Sequence, residues 1–138
     1  MLTTAERKAA IAEKWQYYRT RKSQRKRNLV NHEFAFRVDD VGAGWEYVHF
    51  ELDGKTVGSY RVSYIGPGVR DFVEIVTHMK EKDYQEVVFC NEPGEYVLLF
   101  SRRGDNIYVW LPSMEDGFFL KYDAFVDQVT EEFNRVYG

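Results

Sequence analysis

Apolar and polar positions in the first thirty residues recur with the period of a helix. Ile11, Trp15 and Tyr18 stand at i, i+4 and i+7, a spacing that puts them on one helical face. Thr3 followed by Glu6 has the spacing of a capping box, and the stretch from Ala5 to Arg27 holds neither Gly nor Pro. A helix is therefore predicted from about Thr4 to Arg27. Its apolar stripe stops at Tyr18, so the first half is expected to dock and the second half to project.

From Glu33 the period falls to two. Glu33 to Val38 alternates weakly, and Trp45 to Leu52 alternates well, with Val48, Phe50 and Leu52 on one face and Trp45, Tyr47, His49 and Glu51 on the other. Asp39-Asp40 between them reads as a loop. Asp53-Gly54 signals a hairpin, after which Lys55 to Tyr64 returns with Tyr60, Val62 and Tyr64 on one side. Gly66-Pro67-Gly68 closes the strand region, and Val69, Phe72, Val73, Val76 and Met79 predict an amphipathic helix over 69–82.

The pattern then repeats. Strands are predicted at 86–91, 95–102 and 107–111, divided by turns at Glu92-Pro93-Gly94 and Gly104-Asp105-Asn106, with a short edge strand at 118–121. Tyr122, Phe125, Val126, Val129, Phe133 and Val136 predict a closing helix over 122–137. Glu46-Tyr47-Val48 recurs as Glu95-Tyr96-Val97, and Phe72-Val73 with Val76 recurs as Phe125-Val126 with Val129. These matches suggest an internal duplication, with pseudo-repeats at 33–82 and 86–137. The expected fold is α+β: an antiparallel sheet of about six strands in an α-βββα-βββα order, as one sheet or as two three-stranded halves, with the helices mainly on one face. The domain organisation is a basic N-terminal helix over 1–30 and a single α+β domain over 31–138.

This pattern leaves one face of the first half uncovered, with Trp45, Tyr47, His49, Glu51, Ser59, Arg61 and Ser63 on it. The internal correspondence puts Val97 and Leu99 in the core and leaves Tyr96, Leu98 and Phe100 outside. That second surface is too apolar to face water. Its expected cover is the N-terminal helix through Ile11, Trp15 and Tyr18, with a second copy or a partner as the alternatives. The candidate binding surface is accordingly Trp45, Tyr47, His49, Glu51, Arg61, Tyr96 and Phe100.

Composition adds a charge problem. The 138 residues are 44% hydrophobic and 17% aromatic, as expected of one globular domain. The net charge of −3 conceals two segments. Residues 1–30 hold nine Lys and Arg against two Glu, or +7, and the remaining 108 hold ten basic against twenty acidic side chains, or −10. Six of the cations, Arg19, Arg21, Lys22, Arg25, Lys26 and Arg27, follow Tyr17 and Tyr18. Such a basic patch suits a nucleic-acid-binding arm over residues 17–27, and it suits equally a clasp on an acidic body. The longest apolar run, Tyr96 to Phe100, is too short to span a membrane, and the first residues lack a secretory pattern. Cys90 has no partner for an internal disulfide. A reducing, cytoplasmic location is expected.

No nucleophile signature, phosphate loop or metal-binding motif reads from the chain. His49 and Glu51 share a strand face, yet two ligands without a third do not make a metal site. No metal or cofactor is expected. The run from about Trp45 to Tyr137, with its Asp53-Gly54 hairpin, its Glu92-Pro93-Gly94-Glu95-Tyr96 turn and strand, and its Phe125-rich closing helix, resembles small bacterial domains of unknown function. Among these are immunity proteins of polymorphic toxin systems, and the resemblance implies a non-enzymatic protein-interaction module, an immunity-type inhibitor being one form; the acidic body with its aromatic-polar sheet face suits a cationic protein partner such as a nuclease toxin. Two other classes remain open: a nucleic-acid-binding accessory protein using the basic helix, and a small-ligand or enzymatic site around Trp45, Tyr47, His49, Glu51 and Arg61.

Overall fold

The computed structural model describes residues 2–25, 32–63, 68–91 and 94–138, leaving the side chains of 21–25, 40 and 41 out of account. Helix α1 (Thr4–Arg25) is followed by strands β1 (Phe34–Gly42), β2 (Trp45–Leu52) and β3 (Lys55–Ser63), helix α2 (Val69–Thr77), strands β4 (Tyr84–Asn91), β5 (Gly94–Arg103), β6 (Asn106–Trp110) and β7 (Phe118–Lys121), and helix α3 (Tyr122–Tyr137). The chain is α+β, as expected, with antiparallel pairing throughout. The strands form two sheets, β1-β2-β3 and β4-β5-β6-β7, the expected arrangement in two halves with the short strand at 118–121 added to the second.

The local signals explain most of these elements. Thr3 and Glu6 close the capping box reciprocally: the Glu6 N–H donates to Thr3 Oγ1 at 3.1 Å and the Thr3 N–H to Glu6 Oε1 at 3.0 Å. Asp53 and Gly54 both take positive φ, 53° and 81°, which the tight β2–β3 turn demands. Asp39 and Asp40 correct the reading of a loop. They lie within β1 opposite Tyr47 and Glu46, and the turn falls at Gly42, Ala43 and Gly44, all at positive φ. Helix α2 ends at Thr77, short of the expected 82. There Tyr122 Oη donates to the Val76 carbonyl and accepts from the Met79 N–H, and Arg102 donates to the Met79 carbonyl. Those tertiary bonds satisfy groups that a longer helix would have paired internally.

One core joins both sheets. Phe36, Val48, Phe50 and Tyr60 from the first sheet meet Phe89, Leu98, Phe100, Ile107 and Val109 from the second, beneath Phe72 of α2 and Phe125 of α3. Phe72 is the hinge of this arrangement, with ring centroids 5.2–5.8 Å from Phe36, Phe50, Phe89 and Phe100. The other face of the second sheet carries Leu99, Tyr108 and Phe119, and α1 covers it with Ile11, Trp15 and Tyr18. Trp15 Nε1 donates to Ser101 Oγ at 2.9 Å, so the indole is buried without leaving its N–H unpaired. The N-terminal helix is therefore the cover, and the helices lie on both faces of this sheet: α2 and α3 inside, α1 outside.

The start of α1 is pinned by charge. Arg7 grips Glu86 with Nε and Nη2 at 2.9 and 2.7 Å, and Tyr84 Oη donates to the same carboxylate at 2.6 Å. The Arg7 contact, helped by Tyr84, holds the Glu86 carboxyl at about 2, against an ordinary 4.5. A depressed carboxyl stabilises the fold fully above its ordinary value and loses that contribution as pH falls through the folded one. Helix α1 is thus expected to loosen between about pH 5 and about pH 2, with amide exchange over Ala5–Tyr18 as the measurement. Glu86→Gln should remove that acid step; an unchanged profile in the variant would contradict the assignment.

Two further contacts position the first sheet. β1 is an edge strand, and α3 guards it. The Val38 N–H donates to Glu132 Oε2 at 2.7 Å, and Arg135, itself bonded to Glu132 by Nε and Nη2, donates to the Val38 carbonyl at 3.2 Å. A carboxylate and a guanidinium thus take the place of a neighbouring strand. At the other edge, Ser113 Oγ donates to the Val57 carbonyl and lies 2.8 Å from Tyr60 Oη. The loop holding Ser113 leads to Gly117, where a Cβ would stand 2.2 Å from the Val109 carbonyl oxygen, so only glycine fits.

Candidate functional site

Side chains alternate along a strand. Because Phe34, Phe36, Val38, Val48, Phe50, Tyr60 and Val62 point into the core, their neighbours Arg37, Asp39, Trp45, Tyr47, His49, Glu51, Ser59 and Arg61 share the opposite face of the first sheet. Five of these, Trp45, Tyr47, His49, Glu51 and Arg61, are the sequence-predicted surface residues, and the structure brings them together. Tyr96 and Phe100 do not join them. Phe100 is fully buried in the main core, and Tyr96 packs against that core with its ring 4.9 Å from Tyr60. The sidedness of β5 is the reverse of the expected one: Leu98 and Phe100 face inward, while Val97 and Leu99 lie under α1. The paired triplets 46–48 and 95–97 consequently point to opposite sides of their sheets.

Among the described residues, the hydrogen bonds and ring contacts of the exposed face run within its own sheet, and the charges of Arg37 and Asp39 also act on Glu132 and Arg135 of α3. The Arg61 guanidinium lies 3.9 Å from the Trp45 ring centroid, a cation–π contact worth about 0.5–1 kcal/mol where water has access. Tyr47 and His49 stack at 6.1 Å with planes 13° apart. His49 bridges the three strands, with Nδ1 2.8 Å from Ser59 Oγ on β3 and Nε2 3.1 Å from Asp39 Oδ2 on β1. Arg37 Nε donates to Glu51 Oε2 at 2.9 Å. These bonds fix the rotamers of long side chains before any partner arrives, lowering the entropy lost on binding. Tyr47 stands out from them, 38% exposed.

Asp39 is not placed on this face by the sequence reading, which puts it in a loop, and Arg37 is not singled out because Glu33 to Val38 alternates only weakly. The alternation of Ala35, Arg37 and Asp39 against Phe34, Phe36 and Val38 was the available signal. The order Asp39–His49–Ser59 has the connectivity of a nucleophile, a base and an orienting acid. Here it crosses an open sheet, and two grooves lie beside it or on the far side of the molecule, the first taking in Arg37 and Glu51 at its rim. The first, of about 700 Å³, runs between β1 and α3 past Glu33, Phe36 and Glu131; the second, of about 670 Å³, lies between α1 and β7 past Tyr17, Met114 and Phe118. The chain of bonds orients His49 within the face. Among the described residues, no three His, Cys, Asp or Glu side chains gather as a metal site.

The basic patch is divided by the structure. Arg19 is exposed and its Nη2 donates to Gln16 on its own helix. Arg21, Lys22 and Arg25 lie on the last turns of α1; Lys26 and Arg27 lie outside the described residues, as do the Gly66-Pro67 and Glu92-Pro93 turn positions. Among the described residues, Arg7 meets Glu86 and Lys14 meets Asp116, both earlier on α1. Among the described residues no helix is long and apolar enough to cross a membrane. A scan against protein-family models, a search of curated proteins and a search of solved structures each returned no match to this chain.

Proposed function

We propose that this chain is a non-enzymatic protein-interaction module that binds through the outer face of β1-β2-β3. What carries the reading is a contrast between two sheets of one molecule: the outer face of the second is covered by α1, while Trp45, Tyr47, His49 and Arg61 on the outer face of the first hydrogen-bond and stack, among the described residues, with partners on their own sheet. The uncovered face presents Trp45, Tyr47 and Arg61, the residue types that anchor interfaces, among polar neighbours already paired to one another. An immunity-type inhibitor is one form such a module takes.

The test is hydroxyl-radical footprinting of the chain in extract from its own cells, against the purified protein at high dilution. Tyr47 and Trp45 should be protected in the extract, while Tyr17 and Tyr137, 52% and 38% exposed on α1 and α3, serve as reference rings. Equal labelling of Tyr47 in the two samples would overturn the reading.

A further inference from the structure

We infer that the occupant of this face is a second copy of the same chain, packed sheet to sheet about a two-fold axis parallel to β2. The inference rests on the reading just given and names its partner. A two-fold of this kind lays β1 of each copy over β3 of the other and keeps each residue at its own level along the strands. Asp39 and Arg61 both pair with Tyr47, one from each side. They occupy the same level on the two outer strands, so the operation sets Asp39 of each copy against Arg61 of the other, twice. Trp45, Tyr47, His49 and Glu51, all on β2, then lie along the axis and meet their own counterparts, each Glu51 carboxylate held by Arg37 of its own copy. The outer strands are complementary in charge, and the axis is complementary in aromatic surface.

Charge across the rest of the molecule points the same way. Residues 31–138 carry −10, so two copies repel where these segments meet away from α1. This face holds Arg37 and Arg61 against Asp39 and Glu51, a net of zero, and is a place where two copies approach without that penalty. Its size sets the strength. Three strands about 4.8 Å apart and about eight residues long give a footprint of roughly 400 Å² per copy, below the range of stable specific interfaces and in that of weak, transient ones. The dimer is therefore weak and concentration-dependent, with a dissociation constant on the order of micromolar or above.

The experiment is sedimentation velocity of the full chain over a concentration series spanning that range, with thermal melts confirming that each variant folds. Wild type should pass from monomer to dimer. Arg61→Asp should place like charges at both pairs and weaken association by about tenfold or more, and Asp39→Arg should do the same. The double swap Asp39→Arg with Arg61→Asp should restore it. Tyr47→Lys, at an exposed position on the axis, should abolish it. A wild-type chain that stays monomeric, a dimer indifferent to Arg61→Asp, or a double swap no better than the singles would each overturn the proposal. Failure here is distinguishable from failure of the interaction reading: a monomeric chain whose Tyr47 is still protected in extract has a different protein on this face.

Discussion

Phe72→Ala is expected to lower the stability of the fold by about 3–5 kcal/mol, a large share of what a domain of this size has. Phe72 is fully buried, and its ring meets two rings from each sheet. Removing it opens a cavity at a place where the two sheets, which share no ladder, are held by a common side chain, a role that Phe125 shares through Phe34 and Phe100. Collapse of the cavity would require the sheets to move relative to each other, so the cost should fall in the upper part of that range. Urea unfolding followed by far-ultraviolet circular dichroism measures it. A loss below about 1.5 kcal/mol would mean that Phe125 and Phe100, rather than Phe72, bind the halves together.

Trp15→Ala has a different signature. The indole is 2% exposed, packs edge-on to Phe119 at 5.1 Å and to Tyr18 at 5.8 Å, and donates to Ser101. Its loss removes about 3–5 kcal/mol of packing and leaves a buried hydroxyl without its donor. Since α1 reaches the body mainly through Ile11, Trp15, Tyr18 and the Arg7–Glu86 pair, the helix should detach while the core around Phe72 stays folded. The expected result is rapid proteolysis within α1 and dye binding to the uncovered Leu99, Tyr108 and Phe119, with far-ultraviolet signal from the strands retained. Cooperative loss of the whole fold would show instead that α1 is integral to the domain.

The two substitutions also mark what was legible in the sequence. Local signals are legible because they depend on neighbours in the chain: the Thr3–Glu6 box, the Ile11–Trp15–Tyr18 stripe, the Asp53-Gly54 turn, and the apolar faces of α2 and α3. The exposed face of the first sheet was legible for the same reason, since one side of β2 is polar enough for alternation to show. β5 defeated that logic. Tyr96 to Phe100 is apolar at every position because the strand is buried from both sides, by the core and by α1, and a strand without alternation does not disclose which side is which. The end of α2 was equally hidden, because it is set by Tyr122 and Arg102 and by no glycine or proline. Asp39-Asp40 read as a turn on propensity, and pairing with Tyr47 and Glu46 overrode it.

The guard on β1 bears on how the molecule is made. Val38 and Glu132 are 94 residues apart, and Trp15 and Ser101 are 86 apart. A chain synthesised at about 5–20 residues per second exposes the edge of β1 for roughly 5–20 s before Glu132 follows it out of the ribosome. For about as long, the stripe on α1 waits for its sheet. Through that interval the bare strand edge and the apolar helix face coexist on the nascent chain, so the growing polypeptide is most open to chaperones, and to its neighbours on the same polysome, before α3 is complete.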